Sequence, residues 1–490
     1  MKRFFSSPLL ALLAGAALRL FFVFKYPATG GDTVLYEQFA ANWLKLDKFA
    51  MDIGGQPTPV DLRMPGYPAF LAIVYALTGR AGEAARLSVM LAQVVVDLAS
   101  CVVIAALAAL LGRLCSSYAK GAPEEISLRG LGGLRTKHVF LVALWLAALC
   151  PFTANYVAVP LTEVWAVFLT AAASLLLVLV ASSVTNPAKQ TGNNIWIPAA
   201  LAGFIVGLGA LMRPETPLLL LTTFAVLAFW MFPRRGGKRW LLLCALMGLA
   251  CALPLVPWTI RNAITLHEFQ PLAPKDTTLP SEVDPVGFMA WEKTWLYRVR
   301  DCYLVSWKLN DEEIHLEDIP PWAFDTPEER QRVADVLETY NDEITWTAEE
   351  DAVFAQLARE RTARHPLRTY LWIPLRRAVR IWFTPRIELV PISGHVFPLA
   401  YQREEDPVDQ EVTILFFLVN VFYVALALWG ACKLWRFPAA RPALAVLLLY
   451  IFVRTAFLTT LETPEPRYVL ECFPAVIALA AQILTSPRSA

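Results

Sequence analysis

The stretch 87–111, LSVMLAQVVVDLASCVVIAALAALL, sets the class of this protein, because its one charged residue is Asp97 in an otherwise apolar run. Roughly 20 apolar residues suffice to cross about 30 Å of hydrocarbon. In that medium every backbone amide must be satisfied within its own segment, so the stretch predicts a membrane-spanning helix. The runs 161–184 and 412–431 read the same way. The bias is chain-wide: 57% of the 490 residues are hydrophobic and 17% charged, with a mean hydropathy of +0.48. A soluble domain carries about a quarter charged residues. The 16 Trp and 28 Phe suit helix packing and interfacial belts alike. A net charge of +1 gives no footprint for nucleic acid. Seven of the eight cysteines sit in or beside apolar runs, where Cys behaves as a small hydrophobe.

Working outward, ten spans are expected: 8–25, 87–111, 139–158, 161–184, 196–212, 216–232, 240–258, 412–432, 442–460 and 468–485. Lys2 and Arg3 mimic the start of a signal peptide, but the first apolar run is long and reads as a retained helix. The stretch 64–78, MPGYPAFLAIVYALT, is short and opens on two prolines. Basic residues favour the cytoplasmic side of a membrane. If 64–78 does not span, that side receives Lys2/Arg3, Arg113/Lys120/Arg129/Arg135/Lys137, Lys189, Arg234/Arg235/Lys238/Arg239, Lys433/Arg436/Arg441 and Arg488. The expectation is therefore an all-α polytopic membrane protein in a bacterial inner membrane, with both termini cytoplasmic and 64–78 in the outer interface. Three parts follow. An N-terminal transmembrane module covers 1–260 and carries the first outer loop, 26–86. A mainly helical non-cytoplasmic segment covers 261–411, and C-terminal transmembrane helices cover 412–490.

Within 261–411, Thr326 before Pro–Glu–Glu and Thr347 before Ala–Glu–Glu predict two capped helix starts. The stretch 366–383 mixes Arg368, Arg376, Arg377 and Arg380 with Leu371, Trp372, Trp382 and Phe383. Such a basic, aromatic amphipathic segment belongs on a membrane surface, against anionic lipid. No internal repeat of the transporter kind is visible.

Polar residues gather at the outer ends of the expected spans: Asp32, Arg63, Tyr67, Glu163, Arg213, Arg261, Glu465, Arg467 and Tyr468. Arginines offer fork-shaped, permanently charged donors for phosphate, and a carboxylate can take the proton of an attacking hydroxyl. Each residue taken singly serves equally well as a helix anchor. Together they suit glycosyl transfer from a lipid phosphate. A transporter or flippase, or a ligase for a lipid-linked glycan, is the alternative. Deeper in the membrane, Asp97 is expected to pair with Arg19 or Arg454. The five histidines show no metal-ligand spacing, and Asp311–Glu312–Glu313 reads as a solvated loop.

The order Gly31–Asp32 with Tyr36, then Arg63–x–Pro–Gly–Tyr–Pro, then Thr162–Glu163, resembles the GT-C glycosyltransferases. It is most like the glycosyltransferase family 39-like group, with the protein O-mannosyltransferases and lipid A aminoarabinose transferases. Met212–Arg213–Pro214, Pro257–Trp258 with Arg261–Asn262, His365–Pro366 and Pro466–Arg467–Tyr468 continue the pattern. The resemblance implies a polyprenyl-phosphate sugar donor, a lipid, glycan or protein acceptor outside the cytoplasm, and transfer with inversion. Asp32 is then the general base, and Glu163 orients the acceptor or assists a divalent cation. Arg63, Arg213 and Arg467 hold the lipid phosphate, with Tyr67, Arg261 and Tyr468 beside the substrate. No other cofactor is implied. One departure stands out: Thr33 follows Asp32 where the O-mannosyltransferases carry Asp–Glu.

Overall fold

The computed structural model describes residues 7–119, 134–184, 195–274, 282–386, 389–392, 396 and 407–484. Lys2, Arg3, Lys120, Arg129, Lys189, His395 and Arg488 lie outside the described residues. Among the described residues, six helices are long and apolar enough to cross a membrane: Pro8–Lys25, Gly82–Cys115, Glu163–Ser183, Gly237–Thr265, Pro407–Trp435 and Pro438–Leu458. Thr136–Ala148 and Pro151–Ala158 pass together as a pair bent by 49°. Gly66–Thr78, Trp196–Ala210 and Leu218–Arg234 are shorter apolar helices. The expected span 468–485 is a 3-10 turn at Pro466–Cys472, an α-helix at Phe473–Ala480 and a second 3-10 turn at Ala481–Leu484. The fold is thus that of an all-α polytopic membrane protein. A small antiparallel hairpin, Ala50–Ile53 with Gln56–Pro59, accompanies the helices.

The bend has a chemical cause. Pro151 has no N–H to donate, so carbonyls of the preceding turn lose their helical partners. Fully buried Arg19 donates to the carbonyls of Ala148 (2.7 Å) and Ala147 (3.4 Å). The Tyr423 hydroxyl donates to Leu146 O at 2.7 Å. Arg19 also lies 2.5 Å from Asp97, which settles that acid's partner. Arg454 instead donates to the carbonyl of Tyr468 at 3.1 and 3.2 Å.

The chain divides into two compact units: Met1–Pro274 with Pro385–Ile451 and Leu470–Ala490, and Lys275–Thr384 with Phe452–Val469. In the first unit, helices Trp196–Ala210 and Gly237–Ala252 pack closely through small residues. A Cβ on Gly203 or Gly207 would strike the Met247 or Cys251 carbonyl, which is the close approach that small residues one turn apart permit between membrane helices.

The second unit has its own core around Trp291, Trp295, Tyr340, Trp346 and Phe354. Thr326 and Thr347 cap helices Pro327–Glu343 and Ala348–Arg364, as expected. The Thr347 and Glu350 side chains form a reciprocal capping box. Fully buried Arg361 pairs with Glu329 (2.7 Å) and Asp325 (3.3 Å). The stretch 366–383 contains a π-helical turn, Arg368–Trp372, and an α-helix, Ile373–Phe383.

Candidate active site

The sequence places Asp32 in the first turn of helix Gly31–Leu46, where a carboxylate faces the positive end of the helix dipole. Gly30 precedes the helix against Leu161, whose Cδ1 would lie 2.9 Å from any Cβ there. Thr33 completes the start. Its hydroxyl accepts the Gly30 N–H at 3.0 Å and donates to the carbonyl of Pro160 at 3.2 Å. The Ala28 N–H donates to Ala158 O at 2.9 Å. The segment that leads into helix Gly31–Leu46 is thereby tied to the turn that leads into Glu163.

Arg63 reaches Asp32 at 2.9 Å, with the two side chains 28% and 29% exposed. Its approach depends on the Pro–Gly–Tyr–Pro motif. The Gly66 N–H donates to Leu211 O at 2.8 Å, and a Cβ on Gly66 would lie 2.5 Å from that oxygen. Only glycine allows the two backbones to meet so closely. The contact also brings the motif beside Met212–Arg213.

Glu163 opens helix Glu163–Val184 and lies 2.6 Å from Arg213, with 3% of its side chain exposed. Arg213 further lies 3.5 Å from Glu471 and 3.9 Å from Glu215. Glu471, also 3% exposed, is absent from the sequence-derived set. Its signal was its position as an ionisable residue within the expected span 468–485.

Tyr36 links the two pairs. Burial raises its phenol above the ordinary range. The Asp32 and Glu163 carboxylates raise it further, against the opposing pull of Arg63 and Arg213. One phenol thus feels all four charges. Its ring meets that of Tyr67 edge-on, with centroids 5.2 Å apart. Tyr67 is completely buried and donates to Gln93 Oε1 at 2.8 Å. Gln93 donates in turn to the carbonyls of Val157 and Val159 at 3.1 and 2.9 Å. Tyr67 therefore supports the backbone leading to Glu163.

Arg261 lies beside a different surface. It donates to the carbonyls of Phe49 (2.6 Å) and Val60 (2.9 Å), residues flanking the hairpin. Its guanidinium stands 5.1 Å from the Trp258 ring centroid and 5.5 Å from that of Phe49. These residues border an apolar recess of about 480 Å³ that is also lined by Trp43, Pro65, Gly66 and Leu211. The recess thus shares a wall with the Arg63 motif.

Arg467 and Tyr468 belong to the second unit, where both contact Glu465. The Arg467 Nη2 bond is 3.0 Å and the Tyr468 hydroxyl bond 2.8 Å. Among the described residues, no three His, Cys, Asp or Glu side chains stand together as metal ligands. Asp32 and Glu163 each face a guanidinium instead.

No family model and no curated protein matches the chain. Among solved structures, it is similar to the archaeal oligosaccharyltransferase AglB from Archaeoglobus fulgidus in complex with an inhibitory peptide and a dolichol-phosphate. Identity there is 13% and the TM-score 0.48, over 97% of this chain and 50% of that one. It is also similar to ArnT from Cupriavidus metallidurans bound to undecaprenyl phosphate, with 12% identity and a TM-score of 0.39. That match covers 97% of this chain and 77% of the other. The chain therefore spans about half the length of the oligosaccharyltransferase.

Proposed function

We propose that this chain is an integral membrane glycosyltransferase. It moves a sugar from a polyprenyl-phosphate donor to an acceptor hydroxyl on the non-cytoplasmic face, with inversion. The observation that carries the reading is the pairing of Asp32–Arg63 and Glu163–Arg213 around Tyr36, with the first pair part-exposed and the Glu163 carboxylate of the second buried. The Asp32 side chain is 29% exposed, which leaves its carboxylate open to a substrate. A general base must be reachable by the proton that it removes.

The donor phosphate is a bidentate acceptor for a guanidinium and competes with a carboxylate for it. When phosphate engages Arg63, Asp32 loses its cationic partner and becomes a better proton acceptor. Donor binding thereby prepares the base. The acceptor oxygen then bonds to the anomeric carbon as the bond from that carbon to the phosphate oxygen breaks. The electron pair leaves with the lipid phosphate, and the hydroxyl proton passes to Asp32. Glu163 and Glu471 hold Arg213 in place, and Arg213 adds positive charge beside the departing phosphate. The recess at Trp258 offers an apolar seat next to these groups. In this reading Tyr67 is a positioning residue that acts through Gln93.

The test is sugar release from a panel of polyprenyl-phosphate sugars by purified wild type and Asp32→Asn in detergent. Turnover of one donor by wild type, with binding but no turnover by the variant, supports the reading. Equal turnover by both removes Asp32 from the base role. Absence of turnover on every donor, with vesicle assays showing movement of lipid-linked sugar, replaces transfer with transport.

A further inference from the structure

The second unit contains a positive cluster that the proposed transfer chemistry does not use. Arg298 lies with its guanidinium 4.2 Å from the Trp322 ring centroid and 5.4 Å from that of Tyr297. Arg376 approaches the same Tyr297 ring at 5.3 Å. Arg380, one helical turn after Arg376, is crowded by Arg298: burial lowers its guanidinium, and that neighbouring charge lowers it further. The carboxylate that Arg298 and Arg380 share is Asp301. Burial pushes it up to about 6, against the pull of Arg298, Arg300 and Arg380. Three guanidiniums thus act on one carboxylate. Among the described residues, Arg298 Nε and Asp301 Oδ2 are also buried without a hydrogen-bond partner.

The helix supplying Arg376 and Arg380 stands at the end of a membrane-length helix. Trp382 Nε1 donates to Thr455 Oγ1 at 2.9 Å, and Arg377 donates to Thr459 O at 3.1 Å. Thr455 lies in the last turn of helix Arg441–Leu458, within the candidate span Pro438–Leu458. With Trp382 and Arg377 turned inward, the segment leaves Leu367, Leu371, Leu375 and Val379 at four-residue spacing, each at least 45% exposed. That row is apolar on a helix whose other arginines are already engaged: Arg377 with carbonyls and Arg368 with Asp325 at 2.5 Å.

We infer that Arg298, Arg376 and Arg380 form a headgroup site for an anionic phospholipid of the surrounding bilayer, while the Leu367–Leu371–Leu375–Val379 row lies among its acyl chains. The charge imbalance calls for an anion. The apolar row and the junction with a span end place that anion at a bilayer surface and not in free solution. Guanidiniums stacked on Trp322 and Tyr297 are held in a fixed fork, the arrangement that suits a phosphodiester.

The experiment uses the full chain in neutral detergent, equilibrated with equal mole fractions of phosphatidylglycerol and phosphatidylcholine. Retained lipid is quantified by mass spectrometry. Phosphatidylglycerol should be retained preferentially, and less so as ionic strength rises. Each arginine at such a surface contributes about fivefold, so Arg376→Gln/Arg380→Gln should lower the preference about 25-fold. The Arg376→Lys/Arg380→Lys pair keeps the charge but loses the fork, and should fall between wild type and the glutamine pair. An unchanged ratio in the glutamine pair overturns the inference, as does a wild-type preference that ignores ionic strength. Selective displacement of phosphatidylglycerol by inorganic phosphate, against chloride at matched ionic strength, assigns the cluster to soluble anions and also overturns it.

Discussion

Thr33 donates its hydroxyl hydrogen to the carbonyl of Pro160 across 3.2 Å. The residue after Asp32 is therefore a clasp between the start of helix Gly31–Leu46 and the turn into Glu163. An acid at this completely buried position would need a partner for its charge, and here the backbone supplies one donor and one acceptor suited to a hydroxyl. That gives the departure from Asp–Glu a physical meaning in this chain.

Thr33→Val keeps the volume and removes both hydrogen bonds. It leaves the Pro160 carbonyl without this donor, at a cost of about 1–3 kcal/mol. If Asp32 is the base, kcat should fall more than KM changes, because the carboxylate shifts while the arginines remain. Thr33→Ser keeps both bonds and should stay close to wild type. Thermal unfolding and steady-state transfer by the two variants check this. Equal behaviour of Val and Ser would remove the clasp.

Gly66→Ala should be damaging and Gly31→Ala should not. A methyl at Gly66 meets Leu211 O at 2.5 Å, whereas at Gly31 no atom lies within 4 Å. Overpacking of the first kind costs about 1–3 kcal/mol. It would also move Arg63 away from Asp32, and transfer should fall more steeply than stability. A glycine replaced where there is room gains about 0.4–1 kcal/mol through the unfolded chain. Melting temperatures of the two variants decide the matter.

Arg213 stands among Glu163, Glu471 and Glu215. Removing the cation from two nearly buried carboxylates is far costlier than breaking an exposed pair. Arg213→Ala should lose about 3–5 kcal/mol. The Glu471→Gln change keeps size and polarity and should recover part of that loss when combined with Arg213→Ala. A double-mutant cycle measured by chemical unfolding tests the coupling. Additive losses would show that Glu471 does not sense Arg213.

The parts legible in the sequence were those carried by neighbouring residues. Apolar runs gave the long helices, and Thr326 and Thr347 gave helix starts through bonds to residues three positions on. The acidic and basic positions of the site were legible as types at helix ends. Their pairing was not, because Asp32–Arg63 and Glu163–Arg213 close over long separations that no local pattern encodes. The bend at Pro151 was hidden for a similar reason. A proline in an apolar run permits either a continuous or a broken span, and the choice rests on Arg19 and Tyr423 from distant helices. Arg376 and Arg377 are adjacent and chemically alike, yet one lies over Tyr297 and the other caps buried carbonyls. Only the packed helix separates their roles.

Glu292 gives the second unit a pH dependence of known sign. The side chain is buried, and burial pushes its carboxyl up to about 8. Glu462 raises it further, while the Ser306 hydroxyl bond and Arg377 oppose the shift. In the unfolded chain the same group ionises near 4.5. Below about pH 4.5 both states hold the proton, and the stabilisation is complete. Between there and about pH 8 the unfolded chain has released a proton that the fold retains, so stability declines as pH rises. Above about 8 both are ionised and the dependence ends. The size is on the order of a few kcal/mol. Wild-type protein should therefore melt at a lower temperature near pH 8 than near pH 5. Glu292→Gln keeps a hydrogen-bonding group for Ser306 and has no proton to lose, so it should flatten this part of the profile and gain most at the alkaline end. Parallel slopes for wild type and variant would place the pH dependence elsewhere in the chain.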